Sequence, residues 1–209
     1  MLVIRTKHDI PTSYLFYYTE EMIEKAQEKG FKVKIVEQQL EEKVLRKIIK
    51  NLKPTFIFFN GHGSSTALFN EKYQEFITVD SSDLFQKTVT FARACSCLQE
   101  LGESAVSHGC NAFIGYKQPF WIARNHKSEC HPLRDPVAKP ILQVSNVIPE
   151  ELLKGKTVQE AVEKSHAKAA DYILDLLFSK EPLASASLQA LVANDAALVF
   201  KGNSNATIV

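Results

Sequence analysis

The chain has 209 residues, 45% of them hydrophobic, and its 25 Lys+Arg nearly cancel 24 Asp+Glu. That length suits one domain with a sizeable core and is short for two, so residues 1–209 are expected to form a single unit. The near-neutral charge, with no basic stripe interleaved with aromatics, argues against a nucleic-acid partner, and no apolar run approaches the roughly 20 residues needed to cross a bilayer.

In chain order, residues 2–6 (LVIRT) read as a strand. PTS at 11–13 offers helix-start residues, after which Leu15, Tyr18, Met22 and Ala26 recur at helical spacing until Gly30. Residues 31–36 alternate like a strand, and Leu40, Val44 and Ile48 mark a second helix up to about Asn51. TFIFF, 55–59, is the third strand. Strand and helix alternating in this way predict a parallel sheet covered on both faces. Residues 66–79 suit a small hairpin turning near Asn70 and Glu71, followed by a short helix in VDSSDLFQ. VTFAR (89–93) and NAFIGY (111–116) are the next core strands, separated by a helix over 99–108. Segment 117–133 has no periodicity and reads as a long surface loop of the kind that often carries function. Helices are expected over 135–154 and from the capping box Thr157/Glu160 to about Phe178. A last strand lies at 196–202, after a stretch with no clear pattern. The expected architecture is an α/β three-layer sandwich around a mainly parallel sheet of about six strands.

Ligands of such sheets collect at the carboxyl ends of the strands. His62 follows the third core strand in FFNGHGSS, and Cys95 follows the fourth in FARACSC. If those strands are neighbours, imidazole and thiol share one cleft, the minimal machinery for nucleophilic catalysis. A helix beginning near Leu98 would favour a thiolate at Cys95. Gly61 and Gly63 allow close backbone approach, and the Gly63 and Cys95 amides would serve as an oxyanion hole. Taken singly, a Gly-His-Gly turn is often only a turn, and a free cysteine is often only buried.

The order of these motifs resembles the caspase-like cysteine peptidases of clan CD, most closely their CHAT and gingipain-like branches. FFNGHGSS followed by FARACSCLQELGESAVSHGCNAFIGY matches a strand ending in Gly-His-Gly, a strand ending in Ala-Cys, a helix and a glycine-bearing strand. GKTVQEAVEKSHAKAADYI and NDAALVFKGN resemble the later helix and last strand of CHAT domains. The resemblance implies His62 as general base, Cys95 as nucleophile, Gly63 and Cys95 as oxyanion-hole donors, and no cofactor. It implies a protein or peptide substrate, with room for a regulatory protein partner. The chain departs from the pattern after the cysteine, where Ser96-Cys97 stands in place of a glycine, which leaves Cys97 as a rival nucleophile.

Alternation places Arg93 on the same side of its strand as Cys95. The residue two before the nucleophile helps line the P1 pocket in caspase-like enzymes, so Arg93, assisted by Arg5, predicts a preference for acidic P1 residues. The competing expectation is that Arg93 pairs with Asp80 or Asp83. Trp121 is expected either to line a substrate pocket or to pack in the core. The opening MLVIRTKHDI lacks signal-peptide regions, which predicts a cytoplasmic protein with reduced cysteines. Two other functions fit the sequence: a catalytically silent caspase-like interaction module, and a zinc-binding α/β protein drawing on Cys95, Cys97, His126, Cys130 and His131.

Overall fold

The computed structural model describes residues 1–209. Its strands are β1 (Leu2–Arg5), β2 (Lys34–Val36), β3 (Phe56–Asn60), β4 (Ala67–Phe69), β5 (Glu75–Thr78), β6 (Val89–Arg93), β7 (Ala112–Tyr116) and β8 (Leu198–Gly202). Its helices are α1 (Ile10–Glu28), α2 (Glu42–Leu52), α3 (Glu100–Ser107), α4 (Lys139–Leu153), α5 (Val158–Leu177) and α6 (Ala184–Ala197). The main sheet has six strands in the order β2-β1-β3-β6-β7-β8. All neighbours are parallel except the last pair, where β8 runs antiparallel to β7.

Helices on both faces explain why β3 is apolar without alternation. Phe56 and Phe58 enter a cluster with Met22 and Ala26 of α1 and Ile148 and Leu152 of α4. Ile57 and Phe59 point the other way, toward Leu45 of α2, Leu101 of α3 and the β4–β5 hairpin residues Leu68 and Ile77. Burying each such side chain stabilises the fold by about 1.5–3 kcal/mol. Phe58 also stacks on Phe91 of β6, with ring centroids 5.3 Å apart, tying the two strands that carry the site.

The expected elements are present with shifted ends. In α2 the fully buried residue is Leu45, with Ile48 packed beside it, rather than Val44. The hairpin turns where Asn70 Oδ1 accepts from the Lys72 and Gln74 amides, a local bond that Asn favours. The short helix after it is a 3₁₀ turn, Val79–Phe85. Thr157 and Glu160 form the predicted capping box at the start of α5. Helix α6 occupies the stretch that showed no pattern. Its buried positions do recur at helical spacing, but they are Ser187, Ala190, Leu191, Asn194 and Ala197. Small and polar residues there leave no hydrophobic stripe to read. They are buried because they bond inward: Ser187 Oγ donates to Val137 O at 2.8 Å, and Asn194 holds the Trp121 backbone.

No helix is long and apolar enough to cross a membrane.

Candidate active site

The site begins with strand register. β3 and β6 are parallel neighbours with Asn60 opposite Arg93, so His62 and Cys95 each lie two residues beyond that matched pair. The Gly61 amide donates to Arg93 O at 3.3 Å, closing one strand end onto the other. A Cβ at Gly63 would stand 3.0 Å from Ala94 Cβ and 3.2 Å from Ala67 O, and one at Gly61 would stand 2.9 Å from Phe59 Cζ. These close approaches leave little room for a side chain on either side of His62 and seat the histidine turn against the residue preceding Cys95. The turn is also stitched to the hairpin, through Ser64 N–H to Ala67 O at 2.8 Å and Phe69 N–H to His62 O at 3.0 Å.

His62 has a partner that sequence reasoning missed. Its Nε2 lies 2.6 Å from Asp9 Oδ2. An ionised carboxylate only accepts, so Nε2 donates, and in the neutral ring Nδ1 is left as the free, basic nitrogen. Asp9 is also the N-cap of α1, its other oxygen accepting from the Thr12 amide at 2.8 Å. Tyr73 of the hairpin donates its hydroxyl to Asp9 Oδ2 at 2.6 Å. Burial pushes the Asp9 carboxyl up, but the bonds from Thr12, Tyr73 and His62 outweigh it and hold the group well below the usual carboxylate range. Asp-Ile-Pro-Thr is a helix-start signature, and starting the helix at residues 11–13 passed over the capping aspartate. Next to it, His8 packs edge-on against Tyr73, with ring centroids 4.6 Å apart. Burial pushes His8 below its ordinary imidazole range, against the pull of Asp9.

Cys95 is half-buried, and its Sγ faces Phe120 O at 3.9 Å. Cys97 is sealed in the core, with Sγ 3.5 Å from Ala92 O and 3.4 Å from Ala94 O. Burial pushes its thiol up to about 12. Between the two cysteines Ser96 takes a left-handed conformation, φ 54°, which turns the chain so that one thiol is half-exposed and the other sealed. Helix α3 begins at Glu100 rather than near Leu98, with Glu100 and Glu103 in its first turn. It is too distant and too acidic at that end to favour a thiolate at Cys95, since the dipole effect is confined to about one turn. The Gly63 and Cys95 amides find no acceptor within the chain, whereas the neighbouring Ser64 and Ser96 amides do.

The predicted substrate arginines are not presented to a cleft. Arg93 is fully buried, donates from Nη2 to Asn146 Oδ1 at 2.6 Å, and lies over the Phe58 ring. Asp83 pairs instead with Arg46, at 2.7 Å. Arg5 is buried too, donating from Nε to Glu37 at 2.8 Å and paired with Glu20 at 2.9 Å. The acidic-P1 expectation thereby loses the groups on which it rested. Trp121, 57% exposed, borders an apolar cavity of about 380 Å³ with Ile122, Ala186 and Ala190. It follows Phe120, whose carbonyl faces the Cys95 thiol. The zinc set is not brought together: Cys97 is sealed, His126 pairs with Glu129 at 2.9 Å, and Cys130 is exposed. The loop carrying His126 and Cys130 is organised by Asp135, buried and accepting from Tyr14 Oη at 2.6 Å and the Asn125 amide at 2.9 Å.

This mixed sheet, with helices on both faces and the site at its parallel strand ends, is the caspase-like fold of clan CD cysteine peptidases. The crystal structure of the Arg-specific cysteine proteinase gingipain R superposes with a TM-score of 0.65 at 12% sequence identity, over 99% of this chain. The match takes in 46% of the gingipain R chain, so this chain spans less than half the length of that neighbour. No protein-family model matches the sequence, and no curated protein does.

Proposed function

We propose that the protein is a caspase-like cysteine endopeptidase in which Cys95 is the nucleophile, His62 the general base and Asp9 the residue that orients His62. Support comes above all from the parallel register of β3 and β6, which sets Asn60 opposite Arg93 two residues before His62 and Cys95, and from Asp9, which takes His62 Nε2. With Nε2 committed, Nδ1 accepts the Cys95 thiol proton, and the thiolate attacks the scissile carbonyl carbon. The developing oxyanion is received by the Gly63 and Cys95 amides, whose N–H groups are otherwise unpaired within the chain. The His62 imidazolium then returns its proton to the leaving amine. Water, deprotonated by the same nitrogen, hydrolyses the thioester and restores the thiol. The apolar cavity beside Trp121 supplies a subsite for an apolar substrate residue.

The test is reaction with a set of peptidyl electrophiles bearing Asp, Lys or Leu at P1, followed by mass mapping of the modified cysteine. Stoichiometric modification of Cys95, lost in His62→Ala, is the expected result. A folded protein that none of the probes labels would instead be a silent module of the same fold.

A further inference from the structure

The third residue at the His62 side of the site has no place in that mechanism. His8 carries two ring nitrogens that are both buried and both without a hydrogen-bond partner. A buried polar group left unpaired costs free energy, about 1–3 kcal/mol per group in proteins, unless something satisfies it. A ring nitrogen of His8, a carboxylate oxygen of Asp9 and a ring nitrogen of His62 all lie within 4.8 Å of one another. Two imidazoles and one carboxylate form a donor set suited to zinc, with a fourth position left for water.

We propose that His8, Asp9 and His62 form an inhibitory binding site for a zinc-class divalent cation. Zinc–nitrogen and zinc–oxygen bonds of about 2.0–2.2 Å place tetrahedral ligands roughly 3.3 Å apart. The 2.6 Å contact between His62 and Asp9 opens slightly to meet that spacing, and the wider separations close by less than about 1.5 Å, within the reach of side-chain rotation. Tyr73, which donates to Asp9 Oδ2, remains as an outer partner to the ligating carboxylate. An open cleft of about 590 Å³, lined by His8 together with Lys7, Glu37 and Glu71, provides the way in. Its wall is balanced in charge, with Lys7 and Lys72 against Glu37 and Glu71.

The consequence for activity rests on the proposed dyad. A cation bound at Nε2 displaces the proton from that nitrogen, and in a neutral imidazole the one remaining N–H is then on Nδ1. A protonated Nδ1 cannot accept the Cys95 thiol proton, so the metal-bound protein holds its nucleophile as a thiol. Chelation returns the proton to Nε2, where Asp9 accepts it.

Two measurements on the intact chain separate the site from the dyad. Direct titration with zinc, followed by calorimetry, is expected to show one equivalent bound by the wild type and by Cys130→Ser. Affinity should fall at least about tenfold in His8→Ala and in His8→Gln, the second variant keeping the volume should the first fail to fold. Absence of binding to the wild type, or unchanged affinity in both folded His8 variants, overturns the site. Labelling of Cys95 by the peptidyl electrophile is the second readout. One equivalent of zinc should suppress it in the wild type, EDTA should restore it, and zinc should leave it unaffected in His8→Ala. Zinc bound through His8 with labelling undiminished overturns the inhibitory role, while failure of labelling even without zinc counts against the dyad and leaves the calorimetric result to stand or fall alone.

Discussion

Asp9 joins two tasks in one carboxylate: one oxygen caps helix α1 through the Thr12 amide, and the other holds His62 Nε2 at 2.6 Å. The two tasks separate in the Asp9→Asn variant. Asn caps a helix about as well as Asp, so α1 should keep its start and the protein should fold. An amide carries no charge to stabilise the imidazolium and does not fix the ring's tautomer. Reaction of Cys95 with a peptidyl electrophile should slow by about 10²–10⁴-fold, the span of general acid–base contributions. A rate within twofold of wild type in a correctly folded Asp9→Asn protein would defeat the assignment of Asp9 as the orienting residue.

The same carboxyl makes stability depend on pH in a defined direction. Its folded value lies below the ordinary 3.8, because bonds from Thr12, Tyr73 and His62 outweigh the upward push of burial. A carboxyl depressed on folding stabilises the native state above its unfolded value, and that stabilisation is lost as pH falls below it. Urea unfolding of wild type and Asp9→Asn should therefore differ most near pH 7. The difference should shrink progressively below about pH 4. A gap that stays constant from pH 7 to pH 3 contradicts the charge-based account.

The two cysteines should differ in reactivity far more than their spacing suggests. Cys97 Sγ is wedged between the Ala92 and Ala94 carbonyls, and a Cβ at Gly115 would stand 3.0 Å from it. With its thiol pushed up to about 12 by burial, it carries almost no thiolate at pH 8. Cys97→Ala should keep active-site labelling and lose about 1 kcal/mol of stability, whereas Cys95→Ala should abolish labelling. Iodoacetamide should modify Cys97 only after denaturation. Labelling that persists in Cys95→Ala would move the nucleophile to Cys97.

Much of this was readable from sequence, for reasons that also mark where reading stops. The core strands stand out because a strand buried on both faces is apolar throughout, as in Phe56–Phe59. His62 and Cys95 could be paired because each follows such a strand and the strands are neighbours. Asp9 was hidden because it reaches His62 from 53 residues away and looks locally like a helix cap. Helix α6 was hidden because its buried face consists largely of Ser, Ala and Asn. Alternation fixed which side of β6 Arg93 takes, but not that α4 would cover that side and meet it with Asn146.

That covering makes Arg93 the clearest place to separate stability from specificity. Its guanidinium has one bond, to Asn146, while Nε and Nη1 have no partner. Burial pushes it down to about 10, with Tyr116 and Tyr18 pulling the other way. A desolvated charge with no carboxylate to meet it costs several kcal/mol, and apolar replacement of buried ionic groups is often neutral or stabilising by about 1–4 kcal/mol. Arg93→Met, a flexible chain among Phe58, Phe91 and Tyr116, should therefore leave the melting temperature unchanged or raise it, despite freeing Asn146 Oδ1. Adding Asn146→Leu should recover the cost of that unpaired oxygen, because the Tyr18 carbonyl it also serves lies inside α1. Since the guanidinium is sealed from solvent, Arg93→Met should react with Asp, Lys and Leu probes in the same order of rates as the wild type. A selective loss of the Asp probe, with the melting temperature raised, would show that α4 parts to admit an acidic side chain and would restore Arg93 to the substrate pocket.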